Sequence, residues 1–394
     1  MNLPKNSTNK KELSTENLRL GIDIGSSFLR AAITTQDGLL LDAYEEPSTG
    51  VSCGVIVEPE LFTESLQKLS KKITKNYKKI PGQVIVGLGG IGQRSGTTTV
   101  NTFVSRADGM ITFLDIEKLT DLAKEKCDNA KNKTVLHAIP IKNWIDGVEI
   151  VGSPEGLRGS KIESKILIIS DDSKQEQIVN EVFDSIGLDI DMLVSAPLAD
   201  AYVSLSKREK RIGSASVNLG ADTTSICVYE NSVPLLISII KAGGEQITSD
   251  IALGLRVPVD IAEEIKHGNN DTEYSKRRYD EIVEARVSEI AVKISDELAR
   301  IMRAELLPAG VVLLGGTSLL NKIEHYFRFD LRLPIGNALR NLRASERFYI
   351  DDIKYARCYG LTFFAESKSE TGLYMTILKR VFLKSSNFIK KFLP

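Results

Sequence analysis

Histidine and closely spaced cysteine are nearly absent from this sequence, and their scarcity excludes several kinds of site. The three histidines, His137, His267 and His325, lie far apart, so neither a histidine-based catalytic triad nor a zinc site is expected. The four cysteines are also scattered and form no Cys-x-x-Cys pair. This usage is typical of reduced, mostly buried thiols in a cytosolic protein.

Net charge and long apolar runs are lacking as well. The chain of 394 residues carries 51 Lys and Arg against 52 Asp and Glu, so no overall field favours nucleic acid as a partner. No segment is long enough to span a bilayer, and no signal-peptide stretch is recognisable at the start. The length itself exceeds one ordinary core, so two or more lobes are expected.

Two strand–turn–strand motifs, far apart in the chain, are the most informative feature that is present. Residues 20–33 and 216–228 each place an Asp or Asn at the end of an apolar strand, with Gly two residues later. Glycine lets the backbone approach a ligand closely, and the Ser, Thr and backbone amide groups beside it can form a nest for phosphate. One such turn is most often an ordinary β-turn, whereas two predict a duplicated fold that holds one nucleotide between its halves.

A third glycine turn ends the apolar run of residues 310–320. The adjacent Gly315 and Gly316 allow a flat ring such as adenine to lie against the backbone, and Thr317 or Ser318 is expected to cap a following helix. An ordinary strand-to-helix loop is the alternative. Together with the two earlier turns, the pattern favours an adenosine pocket.

The order of the predicted elements divides the chain into a tail, two lobes and an insert. Helices are predicted over residues 59–77 and 280–306, and a β-α-β-β pattern interrupts the first lobe. The predicted boundaries are 1–17 for a disordered tail, 18–91 with 171–206 and about 340–365 for the first lobe, 92–170 for an inserted α+β domain, 207–250 with 310–339 for the core of the second lobe, 251–309 for its helical part, and 366–373 for a polar linker.

Residues 374–394 are predicted to form a basic amphipathic helix that lies in a membrane interface. Apolar residues recur at three- and four-residue steps, and all the charged residues among them are basic, which suits anionic lipid. A helix docked on the core, or a calmodulin-like partner helix, is the alternative. The predicted membrane-binding residues are Ile377, Leu378, Lys379, Arg380, Val381, Phe382, Lys384, Phe388, Ile389, Lys390, Lys391 and Phe392.

From about Leu20 to Cys358 the sequence resembles the actin superfamily and, within it, the FtsA family of bacterial cell division proteins. The resemblance implies an α/β fold: an actin-like, ribonuclease H-like duplicated pair of lobes with an inserted SHS2-type α+β domain, which contacts the next subunit in filaments. The resemblance is most specific in residues 50–60, 135–140, 143–146, 153–159, 243–251 and 262–266.

The same resemblance implies roles for individual residues in binding ATP and Mg²⁺. Asp23 would face the metal, usually through water; the turn residues of both hairpins would hold the β- and γ-phosphates; a Glu–Lys pair would contact ribose and adenine; and the third turn would approach the adenosine. The implied cofactor-binding residues are Asp23, Gly25, Ser26, Ser27, Asn218, Gly220, Thr223, Thr224, Gly243, Gly244, Glu263, Lys266, Gly315, Gly316 and Thr317.

Several positions depart from the family pattern. Asn218 stands where most of the superfamily has Asp, and an amide cannot act as a base. Ala221 and Asp222 replace glycines that are usual in the second turn, and Phe28 stands where Lys is common. Residues 195–199 align with the segment in which relatives carry a Gln or Glu that orients the attacking water, but they hold neither. Weak or no hydrolysis of ATP is therefore expected.

The function that the resemblance implies is a division adaptor at the cytoplasmic face of the cell membrane. It would polymerise, bind the C-terminal peptide of FtsZ filaments with a surface near residues 247–306, contact anionic lipid and receive later division proteins. A cytosolic, PilM-like pilus assembly protein is the first alternative. A small-molecule kinase of the same superfamily is the second, with Asp200 as the nearby acid that could serve it.

Overall fold

The computed structural model describes residues 15–77, 79–130, 132–268, 273–344 and 352–365. The linker and the amphipathic helix predicted over residues 366–394 lie outside these ranges, as does most of the predicted N-terminal tail. Residues Thr15–Asn17 form a 3₁₀ turn, and the Gly82 amide donates a hydrogen bond to the Thr15 carbonyl at 2.8 Å. The prediction of a disordered tail up to residue 17 is therefore wrong for these three residues.

The first lobe is built on a five-stranded sheet whose strands lie in the order β11 (Met192–Ser195), β6 (Gln83–Leu88), β1 (Leu18–Ile24), β2 (Phe28–Thr35) and β3 (Leu40–Pro47). Strand β1 is a continuous run of buried residues because helices cover the sheet. Helix α1 (Pro59–Tyr77) has the bounds that its amphipathic spacing predicts. Before the insert the elements are β1 (Leu18–Ile24), β2 (Phe28–Thr35), β3 (Leu40–Pro47), β4 (Val51–Ser52), β5 (Val55–Ile56), α1 (Pro59–Tyr77) and β6 (Gln83–Leu88).

The insert forms a separate four-stranded antiparallel sheet with the order β7-β10-β8-β9, packed against one helix. After it the chain returns to the first lobe. These elements are β7 (Arg94–Phe103), α2 (Phe113–Lys126), β8 (Thr134–Ile145), β9 (Val148–Ile150), β10 (Lys161–Asp171), α3 (Ser173–Ser185), β11 (Met192–Ser195) and α4 (Ala196–Ser204).

The second lobe repeats the sheet of the first, with the order β14-β13-β12-β15-β16, and helix α11 then closes the first lobe. The elements are α5 (Lys207–Ile212), β12 (Ser214–Leu219), β13 (Thr224–Glu230), β14 (Val233–Ile240), α6 (Gly244–Leu255), α7 (Val259–His267), α8 (Lys276–Arg300), β15 (Val311–Leu314), α9 (Ile323–Leu331), β16 (Ile335–Asn337), α10 (Ala338–Ala344) and α11 (Ala356–Leu361).

The pairing of strands confirms the duplicated α/β fold. In each lobe the first strand pairs antiparallel with the next strand and parallel with a later one: β1 with β2 and β6, and β12 with β13 and β15. A parallel pair needs a crossover connection, which both lobes provide through helices. The two hairpin turns consequently occupy equivalent places at the ends of β1 and β12.

Two local predictions were wrong. Helix α8 ends at Arg300 rather than at residue 306, because Met302 and Glu305 adopt positive φ, which a right-handed helix cannot accommodate. After Gly315 the chain forms a short 3₁₀ turn, Gly316–Leu319, in which no side chain caps the amino end. Among the described residues, no helix combines the length and apolar character needed to cross a bilayer.

Candidate nucleotide site

The turn of the first hairpin, residues 25–27, lies between β1 and β2 beside the segment that contains β4 and β5. Asp23, near the end of β1, is buried, whereas the three turn residues are partly exposed. The Ser26 hydroxyl accepts a hydrogen bond from the Gly54 amide at 3.3 Å, and the Ser27 carbonyl accepts one from the Ser48 amide at 3.0 Å. The turn is therefore held by the chain that follows β3.

The second hairpin turn meets the start of α6 and the third glycine turn at one backbone carbonyl. The Gly220 oxygen accepts from the Gly244 amide at 2.9 Å and from the Thr317 hydroxyl at 3.0 Å. Gly315 has a φ of 89°, and a Cβ there would approach the Asn218 side-chain oxygen to 2.3 Å. Three segments that the sequence predicts as ligand-binding are thus brought together in the second lobe.

A buried lysine connects α6 to α7 beside these turns. The Lys266 side chain is 8% exposed; its Nζ lies 2.6 Å from the Glu263 carboxylate and donates to the Thr248 hydroxyl at 2.7 Å and the Gly244 carbonyl at 3.3 Å. Burial alone would raise the pKa of Glu263, but Lys266 and Thr248 outweigh it and lower that pKa. The predicted Glu–Lys pair is therefore held in contact beside these turns, together with Thr248, which the sequence did not single out.

Gly316 borders open space, since no heavy atom of the described residues outside its own neighbourhood lies within 4 Å of a Cβ placed there. This room agrees with the prediction that a flat ring lies against the third turn. The hydroxyl of Thr224, by contrast, is buried and donates to the Ala242 carbonyl at 2.8 Å. It stabilises the second lobe and is not available to a phosphate.

The centre of the cleft holds an arginine that the sequence analysis missed. In α11, Arg357 donates from Nη1 to Asp23 Oδ1 at 3.3 Å, from Nη2 to Asp200 Oδ2 at 2.7 Å and from Nε to Asp200 Oδ1 at 3.0 Å. Its Nη2 also donates to the Ser225 hydroxyl at 3.1 Å, and the Asn218 amide donates to Asp200 at 3.1 Å. Burial disfavours the charged guanidinium, but the two carboxylates outweigh it and raise the pKa of Arg357.

These residues do not fit the magnesium ion that the resemblance implies. Mg²⁺ is held by free carboxylate oxygens together with water and phosphate. Here the Asp23 carboxylate already accepts from a cation, and Asn218 turns its amide nitrogen toward Asp200. Within the part of the chain that the structure describes, no group of three or more His, Cys, Asp or Glu residues is arranged to hold a metal.

The side chain of Asp222 extends from the second hairpin turn to the first lobe, an orientation that the sequence alone does not determine. Its Oδ2 accepts from the Cys53 amide at 2.8 Å. Burial and the hydrogen bond to Asp222 raise the pKa of the nearby Glu245, because two carboxyl groups share this place. Asp222 is thus a contact between the lobes beside the turns that the sequence assigns to phosphate.

Ser195, the first residue of the segment 195–199 in which the resemblance implies a water-orienting side chain, is buried in a polar network. Its hydroxyl donates to Gln93 Oε1 at 2.5 Å, and its amide donates to His137 Nε2 at 3.0 Å. Burial lowers the pKa of His137 to about 4, so the imidazole is neutral. These groups join the insert to the first lobe, and the Ser195 hydroxyl is already committed to Gln93.

Two family models match the chain. A model described as cell division protein FtsA matches residues 215–359, and one described as the SHS2 domain inserted in FtsA matches residues 92–170. The cell division protein FtsA of Pseudomonas aeruginosa is 29% identical over 388 residues, covering 91% of each chain. That of Neisseria meningitidis serogroup B is 28% identical over 341 residues, covering 80% of this chain and 82% of its own.

Solved structures with the same fold extend the comparison at lower identity. The PilM–PilN type IV pilus biogenesis complex contains a chain with a TM-score of 0.65 and 18% identity, covering 87% of this chain and 97% of that one. MreB5 of Spiroplasma citri bound to ADP has a TM-score of 0.53 and 12% identity, covering 96% of this chain and 100% of its own. At these identities the likeness concerns the fold alone, which is actin-like.

Proposed function

Because the chain belongs to the family of the cell division protein FtsA, we propose that it binds ATP between its lobes and assembles into filaments at the division site. The observation that carries the nucleotide site is the meeting of the second hairpin turn, the start of α6 and the third glycine turn at the Gly220 carbonyl. The dipole at the start of α6 favours an anion beside it, and the open side of Gly316 has room for a ring. The similarly folded MreB5 is bound to ADP, which supports a nucleotide as the ligand of this fold.

Hydrolysis of the bound nucleotide is proposed to be slow or absent. Asn218 cannot accept a proton as a carboxylate would, and the Ser195 hydroxyl is held by Gln93. Loss of a positioned base usually lowers a rate by about 10²–10⁴. ATP would then act as an assembly cofactor whose binding, rather than turnover, controls filament formation.

Tethering of FtsZ filaments to the membrane is the wider role that family membership supports. The basic amphipathic segment 374–394 would bind anionic lipid at the cytoplasmic face of the cell membrane, and the second lobe would bind the C-terminal peptide of FtsZ. Other copies of the chain and later division proteins would be the remaining partners. Both proposals rest on the sequence and on the family, since the segment lies outside the described residues.

A matched pair of glycine variants tests the nucleotide site. Gly316→Val places a side chain in the space proposed for the adenosine ring, whereas Gly336→Ala adds a methyl group to β16, where a Cβ likewise meets no other described atom within 4 Å. We expect Gly316→Val to weaken ATP binding by calorimetry tenfold or more, on the order of 1.4 kcal/mol, with unchanged thermal unfolding. Equal ATP affinity in both variants would place the nucleotide elsewhere.

Liposome flotation tests the membrane role and separates the alternatives. The full chain is compared with one that ends at Ser369, in the presence of ATP and anionic lipid. Flotation of the full chain alone supports the lipid anchor. If neither chain floats, the cytosolic, PilM-like alternative is favoured, for which the solved PilM–PilN complex provides a similar fold.

The kinase alternative depends on Asp200 as the base, and the surroundings of Asp200 do not suit that role. Asp200 is fully buried and accepts hydrogen bonds from Arg357, Asn218 and Ser225. Burial raises the pKa of Asp200, but its oxygens already accept from these donors, and a substrate hydroxyl has no access to so buried a carboxylate. A panel of small substrates is therefore expected to show no phosphoryl transfer from ATP.

A further inference from the structure

We propose that the guanidinium of Arg357 takes the place of the divalent cation in this cleft, so that the chain binds ATP without Mg²⁺. The proposal rests on the nucleotide site proposed above and concerns the charge that balances the phosphates. Three observations support it: the position of the guanidinium, the way it is held, and the set of charges around it.

The guanidinium lies at the junction of the two lobes. It contacts Asp23 on the first hairpin, Ser225 on the second and Asp200 on the helix that follows β11. The side chain is 15% exposed, so it is sheltered from bulk water without being sealed from the cleft. A cation at this place faces the carboxylate that the resemblance assigns to the metal.

The surroundings of Arg357 hold it in this position. Helix α11 packs closely on the first lobe: a Cβ at Gly360 would approach the Ala199 carbonyl oxygen to 2.4 Å, and one at Gly21 would approach the Cys358 carbonyl oxygen to 2.0 Å. A Cβ at Gly89 would lie 3.5 Å from Nη1. The arginine is therefore placed by backbone contacts that leave no room for side chains, and it is ordered before any ligand arrives.

The charges of the cleft are balanced differently from those of a magnesium site. Asn218 is uncharged where the resemblance implies a carboxylate opposite Asp23, and Arg357 offsets one of the two negative charges of Asp23 and Asp200. Both features reduce the need for a second cation. Nη1 carries two hydrogens and has one acceptor, Asp23, among the described residues, so one donor remains for a phosphate oxygen. Arginine is well suited to this contact because its charge is permanent and its donors are planar.

The decisive experiment measures ATP binding to the full-length protein by calorimetry, once with MgCl₂ and once with excess EDTA. We expect the two dissociation constants to agree within about threefold. Binding that requires Mg²⁺ would overturn this inference and leave the nucleotide site standing. Absence of binding under both conditions would overturn the nucleotide site as well, so the two failures are distinguishable.

Two variants sharpen the result. The double variant Asp200→Ala with Arg357→Ala removes the buried pair together and frees the Asp23 carboxylate, so ATP binding should become dependent on Mg²⁺ by about tenfold or more. Arg357→Lys keeps the positive charge and should remain independent of Mg²⁺. Circular dichroism checks that both variants fold; if the double variant does not, the unmodified protein and Arg357→Lys still decide the question. A double variant that binds ATP equally well with and without Mg²⁺ would contradict the role of Arg357.

Discussion

The two hairpins share one backbone arrangement but carry their acidic groups at different places. In the first hairpin the carboxylate is Asp23, at the end of the strand; in the second that place is taken by Asn218, and the acid is Asp222, in the turn itself. Asp23 is paired with Arg357 within the cleft, whereas Asp222 reaches across to the Cys53 amide. The two lobes therefore share one order of strands, but the acidic residue lies at the strand end in the first hairpin and in the turn of the second.

The fold and the polar contacts of the cleft thus depend on separate sets of residues. The sheets are stabilised by buried apolar side chains, which are present in both lobes. The polar residues at the strand ends instead form the ion pair and the hydrogen bonds of the cleft. Substitutions that change one hairpin or one lobe at a time therefore separate the two contributions.

Arg357→Ala should have the largest effect, because it leaves Asp200 buried without its cation. Removing one partner of a buried ion pair typically costs about 3–5 kcal/mol, and we expect a loss of that size in the free energy of unfolding in urea. The control is the double variant with Asp200→Ala, which removes the stranded charge and should recover part of the loss. If the single variant is the more stable of the two, the pair does not stabilise this cleft.

His137, on strand β8 of the insert, makes the junction between the insert and the first lobe sensitive to acid. Its pKa is lowered to about 4 in the folded protein, so the unfolded chain binds more protons between pH 4 and its ordinary value near 6.5. Stability is therefore full above pH 6.5 and falls as the pH is lowered toward 4, by about 3 kcal/mol from this group.

The measurement is urea unfolding of the unmodified protein and of His137→Gln at a series of pH values. The difference between the two should change over pH 4–6.5 and be constant above it. The control is Asn337→Ala in the second lobe. The Asn337 side chain, at the end of β16, accepts a hydrogen bond from the Leu339 amide at 2.9 Å. This control should lower the free energy of unfolding by about 1 kcal/mol, and the loss should not vary with pH in this range.

Asn218→Asp restores the symmetry of the two hairpins and should destabilise the protein. The new carboxylate would face Asp200 in place of an amide that donates to it at 3.1 Å, and a buried acceptor would lose its donor. We expect a loss of about 2 kcal/mol at neutral pH in denaturant unfolding. Asn218→Ala, which removes the donor without adding charge, should cost less; an equal cost would show that repulsion between the carboxylates contributes nothing.

Asp222→Asn should have the smallest effect, and it should act on the ligand. The amide keeps an oxygen for the Cys53 amide while removing a negative charge beside the proposed phosphate position. We expect ATP to bind about fivefold more tightly, which corresponds to about 1 kcal/mol. Asp189→Asn, at an exposed position in the first lobe, is the control and should leave the affinity unchanged. Weaker binding by the Asp222 variant would show that its charge favours the closed, nucleotide-bound form.

Local patterns predicted much of the fold because they depend on neighbouring residues. Helix α1 was predicted with its observed bounds because its apolar residues, such as Leu66, Leu69 and Ile73, repeat with helical spacing after a proline. The end of α8 was missed because positive φ at Met302 cannot be read from apolar spacing. The fold class itself followed from the two glycine hairpins and the resemblance, and it is confirmed.

The candidate site was predictable only in part. Its glycine turns were located from sequence because they are local motifs, whereas Glu263 and Lys266 were assigned through the resemblance, which implies such a pair after residues 243–251. Arg357 was missed because its partners are Asp200 and Asp23, which spacing along the chain cannot associate with it. The direction of Asp222 likewise depends on how the lobes are placed relative to each other.

The contact between Arg357 and Asp23 joins residues separated by 334 positions in the chain. During synthesis on the ribosome, the first strand emerges long before α11, which packs on that strand at Gly21. Domains generally fold from the N-terminus as they emerge, and contacts of high sequence separation form late because a long loop must close first. The cleft between the lobes is therefore completed only when nearly all of the chain has been made.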